Sequence, residues 1–368
     1  AETHHLAFEE DSRLELALEA LAFGRRLYGE NDPATVSALS AVASSYHMLG
    51  RLEEAKRSFG EIHRRRLHSL GESHPLTVGA LSNIGVADHW LGNFEEALQS
   101  YERCQAIGTA ALGEKHPQVL RCQGLRGLVL ETIGRYAEAA EVLAEHVELS
   151  TVVMGPEHPT TLRSRHSLAD AYRGVGQYDL AERTFLAVLA DRRQALGSLH
   201  IETLQTEMKL ARLYRITGRY EEAEPLISHA LAQETEQFGF EHPTTLVAAQ
   251  EQADLYLAAG RLSEADALFR RVLAARERAL GEGHPELQNT LLGLARIDIA
   301  ARRDSEARAH LQRALRLAEG APEFQSSKQA QLLALLVEVS ERLGDPLAAA
   351  GYRRNLEGLK ENGPDPGP

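Results

Sequence analysis

Long apolar runs are missing from this chain of 368 residues. No stretch approaches the roughly 20 consecutive apolar residues that a bilayer-spanning helix needs. Cysteine is nearly absent. Cys104 and Cys122 are too few for a disulfide framework, and both are expected to be buried, inert thiols, with a reducing cytoplasm as the default compartment. Positive charge is in deficit: 40 Lys and Arg against 53 Asp and Glu leave a net charge of −13. That balance excludes wholesale binding to nucleic acid or to an anionic membrane. Catalytic signatures are lacking too. There is no phosphate-binding glycine loop, no His-Glu-x-x-His and no Gly-x-Ser-x-Gly. Neither thiol has a positioned base beside it in sequence, as a nucleophile would need. The chain is therefore expected to carry no enzyme activity and no cofactor.

What the chain does have is a period. Pro33, Pro75, Pro117, Pro159, Pro243 and Pro285 recur at multiples of 42 residues, with Ile201 in the one gap. Gly29, Gly71, Gly113, Gly155, Gly197, Gly239 and Gly281 stand four residues before these positions, and Asp32 or a histidine stands one before. A fixed period of this length means stacked copies of one small unit.

One copy, residues 155–197, shows how the unit folds. Pro159 suits the first turn of a helix, where its missing N–H costs nothing. The residue before it is the N-cap: Asp32 in the first copy, and elsewhere histidine, whose bare ring nitrogen can accept the same backbone N–H. Leu162, Leu168, Ala169 and Tyr172 form a stripe at helical spacing. Gly176 ends that helix, and a second, carrying Tyr178, Ala181, Phe185, Val188 and Leu189, stops at Gly197. Each copy is thus a helical hairpin. Small residues recur on the first helix (Ala43, Gly85, Gly127, Ala169, Ala211, Ala253, Ala295) and on the second (Ala55, Ala97, Ala139, Ala181, Ala223, Ala265, Ala307). They let the paired helices approach closely.

This small–Tyr–Gly–Tyr–Ala–Phe order resembles the tetratricopeptide repeat. The 42-residue spacing with its Leu-Gly-x-x-His-Pro-x-Thr linker resembles the kinesin light chain type, common also in bacterial multidomain proteins. The resemblance covers seven copies over residues 29–319 and implies an all-α fold, a right-handed α-solenoid superhelix of helical hairpins. Residues 1–28 read as a half-repeat, with Leu14, Leu18, Leu21 and Leu27 aligned to a second helix. That start is expected to mean a fragment, or an end covered by another domain or a partner; a simple helical cap is the alternative reading. Residues 320–360 read as a degenerate capping hairpin that keeps Gly344 and Ala349, and 361–368 as a disordered tail. In the last full copy Arg302 replaces the mid-repeat glycine.

The resemblance implies function in the concave groove, lined by the first helix of each hairpin. No metal site is expected. Histidines one repeat apart lie roughly 10 Å from one another, too far to share a zinc bound at about 2.1 Å, and His4-His5 is read as part of a flexible end. The charges of the lining helices are uneven. Residues 117–133, 159–175 and 201–217 carry a combined +4, whereas 243–259 carry −2 through Glu251 and Asp254. Arg121 is an expected contact on the 117–133 helix; Arg163, His166, Asp170 and Arg173 are expected along one exposed line, and Gln205, Met208, Lys209, Arg212 and Arg215 along the next. Toward the N-terminus the groove becomes apolar, with Met48, Val86, Trp90, Leu125 and Leu128. An apolar pocket beside a basic trough suits an extended acidic peptide, because arginine's planar fork binds carboxylates in pairs. The expected function is a protein-interaction scaffold with a protein or peptide partner, binding neither nucleic acid nor membrane. The alternatives are a regulatory segment of a larger signalling protein, such as a Ser/Thr kinase or a nucleotide-switched ATPase, and a self-assembly module forming a homodimer.

Overall fold

The computed structural model describes residues 2–318 and 326–362, with side chains described over 11–318 and 328–359. His4 and His5 lie outside the described side chains, and residues 363–368 of the expected tail lie outside the described residues altogether. Every regular element among the described residues is an α-helix. They are α1 (Glu2–Tyr28), α2 (Pro33–Met48), α3 (Leu52–Leu70), α4 (Pro75–Trp90), α5 (Phe94–Leu112), α6 (Pro117–Thr132), α7 (Tyr136–Met154), α8 (Pro159–Gly174), α9 (Tyr178–Leu196), α10 (Ile201–Ile216), α11 (Tyr220–Phe238), α12 (Pro243–Ala258), α13 (Leu262–Leu280), α14 (Leu287–Ala300), α15 (Asp304–Ala318), α16 (Ser326–Arg342) and α17 (Pro346–Asn362). The last helix reaches Asn362, one residue beyond the start of the expected tail.

The rungs of the ladder are helix starts. Nδ1 of His74, His116, His158 and His200 accepts the backbone N–H two residues on at 3.2 Å, and Asp32 Oδ1 does the same at 2.8 Å. Two rungs depart from the pattern. His242 Nδ1 meets the Thr244 hydroxyl at 2.8 Å in place of an amide. At Pro285 the helix proper begins only at Leu287, although His284 still accepts the Glu286 N–H. The mid-repeat turns require a left-handed residue. Arg302 takes that conformation, with φ at 61°, where the other copies use glycine. A side chain there costs about 1–2 kcal/mol.

The chain divides into two compact units, Ala1–Thr184 and Phe185–Pro368. In the first, Leu14, Leu21, Leu39, Val42, Phe59 and Ile62 form one core cluster. Tyr101, Leu130, Leu143 and Leu168 anchor a second, drawn from α5, α6, α7 and α8. The small positions are where helices meet most closely. A Cβ on Gly127 of α6 would fall 2.5 Å from Leu143 Cδ2 of α7, which only glycine avoids. First helices of successive hairpins also touch, α4 on α6 and α6 on α8. In the second unit the same order repeats, with α10 on α12 and α12 on α14. Phe269, Leu294 and Ile297 are among the side chains that fill its core.

Polar side chains also enter the core of the second unit. Arg192 and Arg276 occupy the same register on α9 and α13. Each donates to a threonine hydroxyl at 2.7 Å, Thr206 and Thr290 respectively. Glu234 stands at that register on α11, fully buried, and burial holds its carboxyl above the usual range.

Candidate functional site

A cavity of about 350 Å³ opens between α6 and α8, with α7 as its floor. The period explains the walls. Residues of a first helix spaced three or four apart share one face, so Pro117, Arg121, Gly124, Leu125 and Leu128 line one side. Thr160, Arg163, Ser164 and Ser167 line the other. The floor comes from Leu143, His146, Val153 and Met154 of α7. The interior is mainly aliphatic, and both arginines are exposed. Arg121 Nη2 donates to Asn83 Oδ1 at 2.8 Å. Arg121, Leu125, Leu128 and Arg163 of the expected set therefore meet at one cavity.

The other expected residues are placed differently. Trp90 does not line the cavity. It ends α4 at 64% exposure, with its ring against His47 at 5.9 Å and His89 at 6.3 Å. Met48, at the same register one repeat earlier, is 67% exposed. The expected apolar stretch is thus an exposed pair at the ends of α2 and α4 and, separately, the walls of the cavity. His166 is half-buried and is not a lining residue. Asp170 is a correction to the exposed line: it is only 3% exposed and pairs with Arg173 at 2.6 Å. That pair is neutral in sum, and the Arg173 guanidinium also lies 5.9 Å from the Tyr136 ring.

The cations of α10 belong to the second unit. Met208, expected on an exposed line there, is only 8% exposed because its face of α10 packs inward. Lys209 is half-buried. Arg212 and Arg215 both reach Glu251 of α12, at 3.7 and 3.5 Å. Counting charges helix by helix put these arginines and Glu251 into separate groups. Packing α10 on α12 joins them and removes much of the expected positive field. Beside them Asp254 is pushed up to about 6, by burial first and by Glu251 second.

The cysteines are a second correction. Cys104 of α5 and Cys122 of α6 form a disulfide, with Cα atoms 6.2 Å apart, within a cluster that includes Val78 and Leu81. A separation of 18 residues gave no sign of this, because pairing depends on which faces of α5 and α6 touch. A structural disulfide suits an oxidising compartment, so cysteine content no longer argues for the cytoplasm.

Two residues that matter to the cavity went unread in the sequence, His146 and Gly124. His146 is fully buried, neither ring nitrogen has a partner, and burial pushes its pKa down to about 4. The ring is neutral at pH 7. Aligning the copies would have found it, since the same register elsewhere carries Ile62, Cys104 and Val188. Among the described residues no group of acidic, histidine or cysteine side chains is placed to hold a metal, and no helix is long and apolar enough to cross a membrane.

The architecture is that of a helical-hairpin repeat protein. Family models described as tetratricopeptide repeat match residues 76–151, 134–194, 202–278 and 249–320, and another of the same description matches 35–76. The chain belongs to the tetratricopeptide repeat family. A solved structure of nearly identical TPR-like repeats from Podosopora anserina, ascribed to a kinesin light chain, is 30% identical. That match covers 56% of this chain and 97% of the other at a TM-score of 0.49. BtubC (BKLC) from P. vanneervenii is 20% identical over 64% of this chain and 94% of its own, with a TM-score of 0.55. A Rap protein complexed with Competence and Sporulation Factor is 15% identical over 96% and 98%, with a TM-score of 0.62. No curated protein matches the chain.

Proposed function

We propose that this chain is a non-enzymatic protein-interaction scaffold that holds an extended acidic peptide segment in its first unit. The observation that carries the reading is the cavity between α6 and α8, apolar inside and bordered by Arg121 and Arg163. An apolar side chain of the partner enters the cavity and leaves water, at about 25 cal/mol per Å² of buried area. Flanking carboxylates meet the two guanidiniums, which fix register and direction more than they add affinity. Trp90 extends the surface as an exposed aromatic anchor, the residue type enriched at interface hot spots. Arg173, Arg212 and Arg215 do not line the cavity and play a smaller part.

The test is selection from a random peptide library on the immobilised chain. Acidic sequences with one bulky apolar residue are expected to enrich on the wild type. Arg121→Glu/Arg163→Glu should lose that enrichment while its helical circular dichroism stays intact. Enrichment of peptides without acidic residues, or an unchanged profile on the double variant, would overturn the reading.

A further inference from the structure

The repeat pattern breaks twice at one spot. The position of His146 holds Ile62, Cys104, Val188, Ala230, Val272 and Ala314 in the other copies, none of which is a ring-nitrogen base. Facing it on α6 is Gly124, where the other copies carry Ser40, Ser82, His166, Met208, Gln250 and Leu292. A Cβ on Gly124 would lie 3.1 Å from His146 Nε2. The missing side chain lets the α6 backbone lie against that nitrogen, which is buried and unpartnered beneath the cavity, and both residues line it. A buried polar group without a partner is costly. A ligand that fills the cavity can supply one.

The chemistry of that ligand group follows from the ring. A neutral imidazole presents one N–H and one bare nitrogen, and the tautomer decides which of them is Nε2. A hydroxyl serves either tautomer, since it both donates and accepts. An indole N–H serves only a bare nitrogen. A purely apolar side chain serves neither and seals the ring in unsatisfied. A carboxylate would need a cationic partner at the floor, where burial keeps the ring uncharged. The aliphatic walls require an apolar body behind the polar tip, and tyrosine combines the two.

We infer that His146 is the specificity-determining residue of the site: the peptide's anchor is a tyrosine whose phenolic hydroxyl bonds His146 Nε2 beside Gly124, where a side chain would stand in the way. This rests on the acidic-peptide reading above. The flanking acids meet Arg121 and Arg163 at the rim, so the same peptide satisfies the floor and the edge together.

Fluorescence anisotropy with labelled ten-residue peptides of Glu and Gly, bearing a central Tyr, Phe or Ala, tests the inference. Free 4-ethylphenol serves as a competitor. The wild type should bind the Tyr peptide about tenfold more tightly than the Phe peptide, the gain of one hydrogen bond to a buried ring nitrogen that otherwise has no partner. His146→Val should bind the two alike. This variant restores the residue type of Val188, so it keeps a folded core, which a thermal melt checks. Gly124→Ala, by placing a Cβ about 3.1 Å from Nε2, should abolish the preference for Tyr and leave the Phe peptide bound. If the wild type binds Tyr and Phe peptides equally, and Arg121→Glu/Arg163→Glu weakens both, the role of His146 is overturned and the groove reading stands. If no acidic peptide binds better than the Ala form, both are overturned. If 4-ethylphenol alone binds as tightly as the Tyr peptide, the occupant is a small phenol and the peptide anchor is overturned.

Discussion

Replacing His146 with valine should make the protein less sensitive to acid, by an amount that follows from the burial of the ring. In the fold the imidazole pKa is pushed down to about 4 by desolvation, from an ordinary histidine value of about 6.5. The sign follows from proton counting. Between these values the unfolded chain binds a proton that the folded chain refuses, so stability rises with pH across the window. The full contribution is present above 6.5 and is lost as pH falls toward 4. At pH 5 the unfolded chain gains about 2 kcal/mol from protonating this residue, and at pH 7 a few tenths. The difference in unfolding free energy between His146→Val and wild type should therefore be about 2 kcal/mol larger at pH 5 than at pH 7. Packing changes caused by the substitution are present at both pH values and cancel, as do the contributions of the other histidines. Urea unfolding followed by circular dichroism at the two pH values measures it. An equal difference at both would mean that the ring is hydrated or partnered in solution, and would refute the reasoning.

Other outcomes follow from the same geometry. Arg302→Gly should raise stability by about 1 kcal/mol, because it relieves a left-handed backbone, and a thermal unfolding midpoint will show it. His158→Ala should cost about 1 kcal/mol through its lost cap, whereas His242→Ala should cost less, since His242 meets a hydroxyl and caps no amide; paired chemical denaturation curves compare them. Reducing the Cys104–Cys122 bridge should lower stability by about 3 kcal/mol on loop-closure grounds. Melts with and without reductant, with thiol alkylation read by intact mass, check this, and an unchanged melt after complete alkylation would contradict it.

Much of the fold was legible because the repeat is written in local signals. Proline after an N-cap starts a helix, glycine at positive φ ends it, and alanine at two fixed positions marks where helices touch. Each acts within a few residues along the chain, so each can be read without a structure. Part of the candidate site was legible for the same reason: Arg121, Leu125, Leu128 and Arg163 share faces set by helical spacing alone. Asp170 and Met208 were misplaced because spacing gives a residue's direction about its own helix but not what the neighbouring helix covers. The charge count failed at Arg212 and Arg215 for a related reason, since Glu251 lies on a different helix of the next hairpin.

By itself, then, the sequence determined the hairpin unit, its period, its capping and the absence of catalytic signatures, because these depend on backbone preferences and on contacts three or four residues apart. The tertiary structure alone decided which first helices enclose a cavity, that Cys104 reaches Cys122, that Glu251 faces two arginines, and that Gly124 packs against a buried His146 beneath the cavity. Those facts belong to contacts between helices. Such contacts depend on side-chain volume and rotation at each interface, which a period of 42 residues does not encode.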